Sequence, residues 1–260
     1  MNAASRSLAA AFLRQTRLDH WPVRVRRGIA QGARWTIYPW TSYWRGTFEP
    51  ALQAELSGLG AGDLCGWVCW DLGAHFGLYS VGLARRVGST GEVAAFEPNP
   101  VSFARLAHHQ RINRLPWLKM YCAAASDQSG RSEMLTYGDL YTTTTHLAFD
   151  GEVHPRPSHA LPVRTVRLDD LVAAGELRPP QFVKIDVEGH GHRALAGMTN
   201  ALRQTLPTLA VAFHSPEEIA GVLSVLTPLG YQFRAIPAAP DDCDVRVGAD
   251  YLFTIRGRQG

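Results

Sequence analysis

Asp71 and Glu97 each close an apolar run, Trp67–Trp70 and Val93–Phe96, and the turn after the first run is punctuated by Gly73 and Gly77. In an open α/β sheet ligands sit outside the carboxyl ends of the strands; a glycine turn lets the backbone approach a cofactor there, and an acid one strand later can take a ribose diol. Glu97 follows Gly73 by 24 residues, close to the offset such an acid needs. Two further runs end the same way. Phe182–Val187 carries Asp186 and Glu188 near its carboxyl end, and Thr208–Phe213 ends at His214, so two carboxylates and an imidazole stand where a general base is needed.

The glycine spacing narrows the cofactor. It is G-x-x-x-G after an acid, whereas G-x-G-x-x-G is the spacing that brings a helix N-terminus onto a pyrophosphate. A cofactor with a ribose and no pyrophosphate fits better, and S-adenosylmethionine is one. Asp71 and the turn would hold its amino-acid end and Glu97 its ribose hydroxyls. A tight β-α turn with capping acids would leave the same glycines without any ligand.

Positioning these residues requires a strand, turn, helix and strand from Trp67 to Phe96, with apolar positions Leu78, Val81, Leu83 and Val87 on the helix. Ahead of this unit, Val23–Arg26 and Trp35–Tyr38 read as a hairpin. Pro39–Pro50 packs aromatics, among them Tyr43 and Trp44, as a pocket wall would, and Gln53–Leu59 reads as a helix. After it come a helix from Val101 to Asn113 and a strand from Trp117 to Ala123 whose end, near Asp127, would reach the cofactor's adenine edge; an Asx-turn explains Asp127 as well. Tyr137–Pro162 lacks periodicity and reads as a long loop on the acceptor side. Asp169 and Asp170 begin a short helix up to Gly175, and another helix runs from Gly189 to about Arg203. Pro216–Leu229 is helical, and Tyr231–Ile236 with Asp250–Arg256 form a hairpin that makes one strand antiparallel.

The chain has 260 residues, 46% of them hydrophobic, enough for one α/β domain over 63–260 with an N-terminal helical and hairpin extension over 1–62. Residues 1–20 suggest an amphipathic helix bearing Arg6, Arg14 and Arg17, with peripheral membrane contact as the alternative. No apolar run is long enough to span a bilayer. A net charge of +3 does not argue for nucleic acid, and a solvated strand edge accounts for Arg24, Arg26 and Arg27. Cys65, Cys69, Cys122 and Cys243 form no C-x-x-C pair, which points to reduced thiols and a cytoplasmic location. His154 and His159 have no cysteine or carboxylate at ligand spacing, so they read as surface histidines and no metal is expected.

The segments GTFEP (Gly46–Pro50), DLGAHFGLYS (Asp71–Ser80), FEPNP (Phe96–Pro100), SDQSG (Ser126–Gly130), RLDDL (Arg167–Leu171) and KIDVEG (Lys184–Gly189) follow one another in the order of the FkbM-type methyltransferases, which the chain resembles from about Gly46 to Tyr231. The resemblance implies a Rossmann-like, mostly parallel seven-stranded sheet with helices on both faces. It also implies S-adenosylmethionine-dependent O-methylation of a hydroxyl on a sugar, glycosylated lipid, polyketide or macrolide. Carried onto this sequence, the cofactor residues are Glu49, Asp71, Gly73, His75, Gly77, Glu97, Asn99, Ser126, Asp127 and Asp186. His214, Asp186 and Glu188 are the catalytic candidates, with His214 the better base at neutral pH. The sequence departs from the family pattern at His75, where Asn is usual, at Gly191, where Glu is usual, and at Ala212, where an acid often stands. The last two put an acid-dependent metal site or base in doubt. Two other readings stay open: a non-catalytic adenosine- or nucleotide-binding module, and methylation of a nitrogen.

Overall fold

The computed structural model describes residues 21–38, 41–136, 145–148, 159–238 and 244–255. Five adjacent parallel strands run to one edge of the main sheet: β3 (Val68–Leu72), β4 (Glu92–Phe96), β5 (Leu118–Tyr121), β10 (Phe182–Ile185) and β11 (Thr208–Ala212). The expected hairpin completes it. β13 (Asp250–Ile255) runs antiparallel to both β11 and β12 (Tyr231–Ile236), and the spatial order is β12-β13-β11-β10-β3-β4-β5.

These strands are mostly apolar because helices cover both faces; Asp71 of β3 and Lys184 of β10 are charged residues buried among them. Val68, Trp70 and Leu72 of β3 point into one core while Cys69 points into the other. The Cys69 side is covered by α1 (Pro50–Gly58), α2 (Leu78–Val87) and α3 (Pro100–Asn113), through residues such as Leu56, Leu83 and Leu106. The Trp70 side packs on α4 (Leu168–Ala173), α5 (Gly191–Ala196), α6 (Thr199–Thr205) and α7 (Pro216–Leu226). The chain leaves β3 toward β4 and β5 and then returns to lay β10 on the other side of β3. That reversal makes the carboxyl ends of β3 and β10 the place for a ligand.

The N-terminal hairpin is shorter than expected, β1 (Pro22–Arg24) against β2 (Arg34–Thr36), and it shares the main core. Trp35 is fully buried and stacks on His109 at 3.7 Å between centroids, while His109 bonds the Thr36 hydroxyl and the Phe76 carbonyl.

Two expectations are corrected. The helix from Gly189 to Arg203 is two helices, α5 and α6, broken at Gly197. A Cβ there would sit 1.9 Å from the Ser126 carbonyl, and the Asp169 carboxylate caps the second helix through the N–H groups of Asn200 and Ala201. The long loop is also partly strand. β7 (Gly130–Thr136) pairs antiparallel with β8 (Thr145–Ala148) and with β9 (His159–Val166), and β9 pairs with β6 (Ala124–Ala125) in a second, four-stranded sheet. The expectations for residues 1–20, for the remainder of Tyr137–Pro162 with His154, and for Cys243 lie outside the described residues. No described helix is long and apolar enough to cross a membrane.

Candidate active site

A cavity of about 320 Å³ opens at the carboxyl ends of β3, β4 and β10, lined among others by Gly73, His75, Glu97, Asp186, Glu188 and His214. Gly73 has φ +83°, and a Cβ on it would meet the Asp186 carbonyl at 1.8 Å, so only glycine lets the first turn lie against the end of β10. The N–H groups of Gly73 and Ala74 both donate to the Phe96 carbonyl, that of Gly77 to Ala74, and that of His75 to Glu97 Oε2 at 2.7 Å. Those amides are occupied within the turn and do not form an anion cradle. Here is the structural reason why the glycine spacing disfavours a pyrophosphate.

Glu97 is buried at the end of β4. Its other oxygen accepts the Asn99 N–H at 2.8 Å, which leaves lone pairs on both oxygens for a ligand's hydroxyls. Burial pushes its carboxyl up to about 7 despite those two N–H groups. Beside it, Phe96, Pro98, Ala124, Ala125 and Met134 make an apolar wall. Tyr43, Phe48 and Glu49 close the opposite side. Tyr43 Oη lies 2.9 Å from His75 Nδ1, and the Tyr79 hydroxyl donates to Glu49 at 2.6 Å. Three lining residues, Glu49, His75 and Glu188, hold positive φ without being glycine, a strain of ~1–3 kcal/mol each that concentrates where function is built.

Across the cavity floor Lys184, almost wholly buried, donates to Asp186 Oδ2 at 3.0 Å. Burial opposes the Lys184 charge, but Asp186, Asp71 and Glu49 outweigh it and hold the ammonium above its ordinary range. Burial likewise opposes ionisation of Asp186, and Lys184 and His214 overcome it to hold the carboxyl low. His214 Nε2 stands 3.4 Å from Asp186 Oδ1 and 3.7 Å from Glu188 Oε2. Burial lowers the His214 imidazole, yet Glu218, Glu188 and Asp186 together keep it above its usual value; burial raises Glu188 to about 7.

Glu218 escaped the sequence reading. Ser215 caps α7 by accepting the Glu218 N–H, and the fully buried Glu218 carboxylate accepts the N–H groups of Gly191 and His214, both at 2.8 Å. Its Oε2 is 3.6 Å from His214 Nδ1, an ionic contact longer than a hydrogen bond. A Cβ at Gly191 would come within 2.6 Å of Glu218 Oε1, so Glu218 already fills the space where a side chain at 191 would begin. The S-x-x-E capping pattern Ser215–Glu218 was the available signal. Lys184 was visible in its motif but not assigned, since its aim depends on the strand's facing.

Other expected residues sit behind the wall. Asp71 is fully buried, accepts the Ser80 hydroxyl at 2.5 Å, and acts from beneath the turn. Gly77, at φ +86°, leaves room for Leu106. Asn99 lines the cavity and caps α3 through Val101 and Ser102. Ser126 bonds His190 and Asp127, and Asp127 faces Arg193 at 3.6 Å, so the wall at that strand end is made by Ala124 and Ala125 instead. The possible ligand atoms of Asp186, Glu188 and His214 lie within 4.8 Å of one another, a grouping that the sequence spacing did not reveal. The Lys184 ammonium already occupies one oxygen of that trio and supplies the positive charge a cation would bring.

Fold and site define a Rossmann-like methyltransferase architecture. Residues 71–233 match the family described as Methyltransferase FkbM domain, and the chain belongs to that family. It is 31% identical over 160 residues to hexuronic acid methyltransferase AglP of Haloferax volcanii, across 60% of this chain and 61% of that protein. The crystal structure of methyltransferase FkbM from Methylobacillus flagellatus superposes with a TM-score of 0.51 at 19% identity, over 76% of this chain and 47% of that one. The chain thus spans less than two thirds of either relative's length.

Proposed function

We propose that this chain transfers a methyl group from S-adenosylmethionine to a hydroxyl of a sugar or sugar-bearing small molecule, with His214 as the base. The observation that carries the reading is the placement of His214, between Asp186 and Glu188, in the same cavity as the Glu97 carboxylate and the glycine turn.

The donor set fits the cofactor. Glu97 would take the ribose diol, the Phe96–Pro98 and Ala124–Ala125 wall the adenine, and Asp186 with the turn at Gly73 the amino-acid end. When bound, the cofactor supplies a methyl group on a sulfonium, and a cavity lined by Glu49, Glu97, Asp186 and Glu188 favours that positive charge. Because the methyl is already activated, the protein's work is alignment, exclusion of water and removal of the hydroxyl proton. Neutral His214 takes that proton at Nε2, a contribution of ~10²–10⁴ in rate. Asp186 and Glu188 orient the hydroxyl, and Glu218 beneath the ring stabilises the imidazolium that forms. The hexuronic acid in the relative's name supports a sugar acceptor. The free thiols of Cys65, Cys69 and Cys122 accord with a cytoplasmic location.

Titration calorimetry with S-adenosylmethionine, followed by detection of S-adenosylhomocysteine against hexuronates, neutral glycosides and glycosylated polyketides, tests the reading. Cofactor binding without turnover on any acceptor would favour the non-catalytic module, product on a nitrogen would favour N-methylation, and absence of cofactor binding would overturn methyl transfer to either atom.

A further inference from the structure

We propose that an arginine strip beside the cavity docks this protein on an anionic lipid bilayer. From Trp21 to Phe48 the sequence has five arginines and no acid, although the net charge of the whole chain is only +3. Strand alternation turns Val23 and Val25 inward and leaves Arg24 and Arg26 exposed. Arg24 stands directly opposite Arg34 in the β1–β2 ladder, a like-charge pairing that costs stability in water and gains from an external anion. The strip continues through Trp44, whose ring lies 5.0 Å from the Arg26 guanidinium carbon and 5.2 Å from that of Arg45. Gly46, at φ +70°, holds this turn down on the hairpin: a Cβ there would sit 2.0 Å from the Arg27 carbonyl oxygen. Among the described residues none of Arg24, Arg26, Arg27, Arg34 and Arg45 forms an ion pair.

Planar guanidinium groups bind phosphate in bidentate fashion. What favours a bilayer over a soluble polyanion is Trp21, 63% exposed next to β1, since indole rings prefer the headgroup level of a membrane. The preceding stretch, 1–20, adds Arg6, Arg14 and Arg17 with Asp19 as its one acid. Each Arg held near an anionic surface contributes about 1 kcal/mol, so the exposed arginines of the strip together with Trp21 supply the attachment. The strip ends at Tyr43, which lines the cavity, so docking brings the site to the membrane surface and to acceptors held there. This inference does not depend on which group is methylated.

The test is co-sedimentation of the full chain with vesicles of phosphatidylcholine alone and with roughly 30% phosphatidylglycerol, at low and high salt, beside binding to heparin. Binding to the anionic vesicles only, reversed by salt, is expected. The triple variant Arg24→Gln/Arg26→Gln/Arg45→Gln should weaken it on the order of 100-fold, with an unchanged thermal unfolding curve reporting an intact fold. Equal binding to both vesicle types, unchanged binding by a folded triple variant, or binding to heparin but to no vesicle overturns the proposal.

Discussion

Glu218 lies directly beneath His214: one carboxylate oxygen accepts the His214 N–H at 2.8 Å and stands 3.6 Å from Nδ1 of the same residue, wholly out of water. A buried negative charge so placed favours the imidazolium. At saturating cofactor, the apparent pKa of the acidic limb in kcat/KM for the acceptor should therefore fall above the ordinary histidine value of about 6.5. Glu218→Gln removes that charge and should move the limb to lower pH. His214→Ala should abolish it and cost ~10²-fold or more in rate, with cofactor affinity nearly unchanged. A full-rate His214→Ala enzyme with the limb intact would transfer the base role to Asp186 or Glu188.

Cofactor binding should be linked to protons through Glu97. Its carboxyl, pushed up to about 7 by burial, must ionise to accept two ribose hydroxyls. Affinity should rise between about pH 6 and 8, with proton release measurable by calorimetry in buffers of different ionisation enthalpy. Glu97→Ala should weaken binding about 10- to 100-fold and remove the linkage.

Lys184→Met leaves the buried Asp71 and the half-buried Asp186 carboxylate without their cation and should cost ~3–5 kcal/mol in urea unfolding. The sign with pH follows from Asp186, whose folded pKa is depressed. Its stabilisation is present above the unfolded value near 4 and disappears as pH falls through the lower folded value. The wild type should lose its advantage over Lys184→Met in acid, and a gap that stays constant down to low pH would refute the pairing.

Gly73→Ala and Gly175→Ala separate strain from collision. Both glycines have positive φ, but a Cβ at 175 meets nothing within 4 Å whereas one at 73 meets the Asp186 carbonyl at 1.8 Å. Gly175→Ala should cost only ~1–2 kcal/mol. Gly73→Ala should lower the melting temperature much further and abolish cofactor binding, and equal losses would show that β10 yields.

Dialysis against a chelator should leave methyl transfer unchanged, because Lys184 already neutralises Asp186 beside Glu188 and His214. Stoichiometric metal by mass spectrometry, with activity lost on its removal, would reassign the trio to a divalent ion.

Local pattern was enough to place the strand-end residues. Apolar runs of strand length, glycines at the first turn and helical spacing after Leu78 determined β3, α2 and β4 with Gly73 and Glu97, and two further apolar runs determined β10 and β11 with Asp186 and His214 at their ends, because those features depend on neighbours in sequence. Which side chains face the cavity was decided by tertiary structure. Asp71 and Lys184 are partners across a register, Asp71 on β3 opposite Lys184 on β10, and that register brings a buried acid and a buried cation together under the turn. The β7–β9 pairing that turns part of an irregular stretch into a sheet, and the approach of Glu218 to Gly191, join segments far apart in the chain. Local periodicity carries no record of such contacts, since they arise only when strands take a register and helices settle on the twisted sheet.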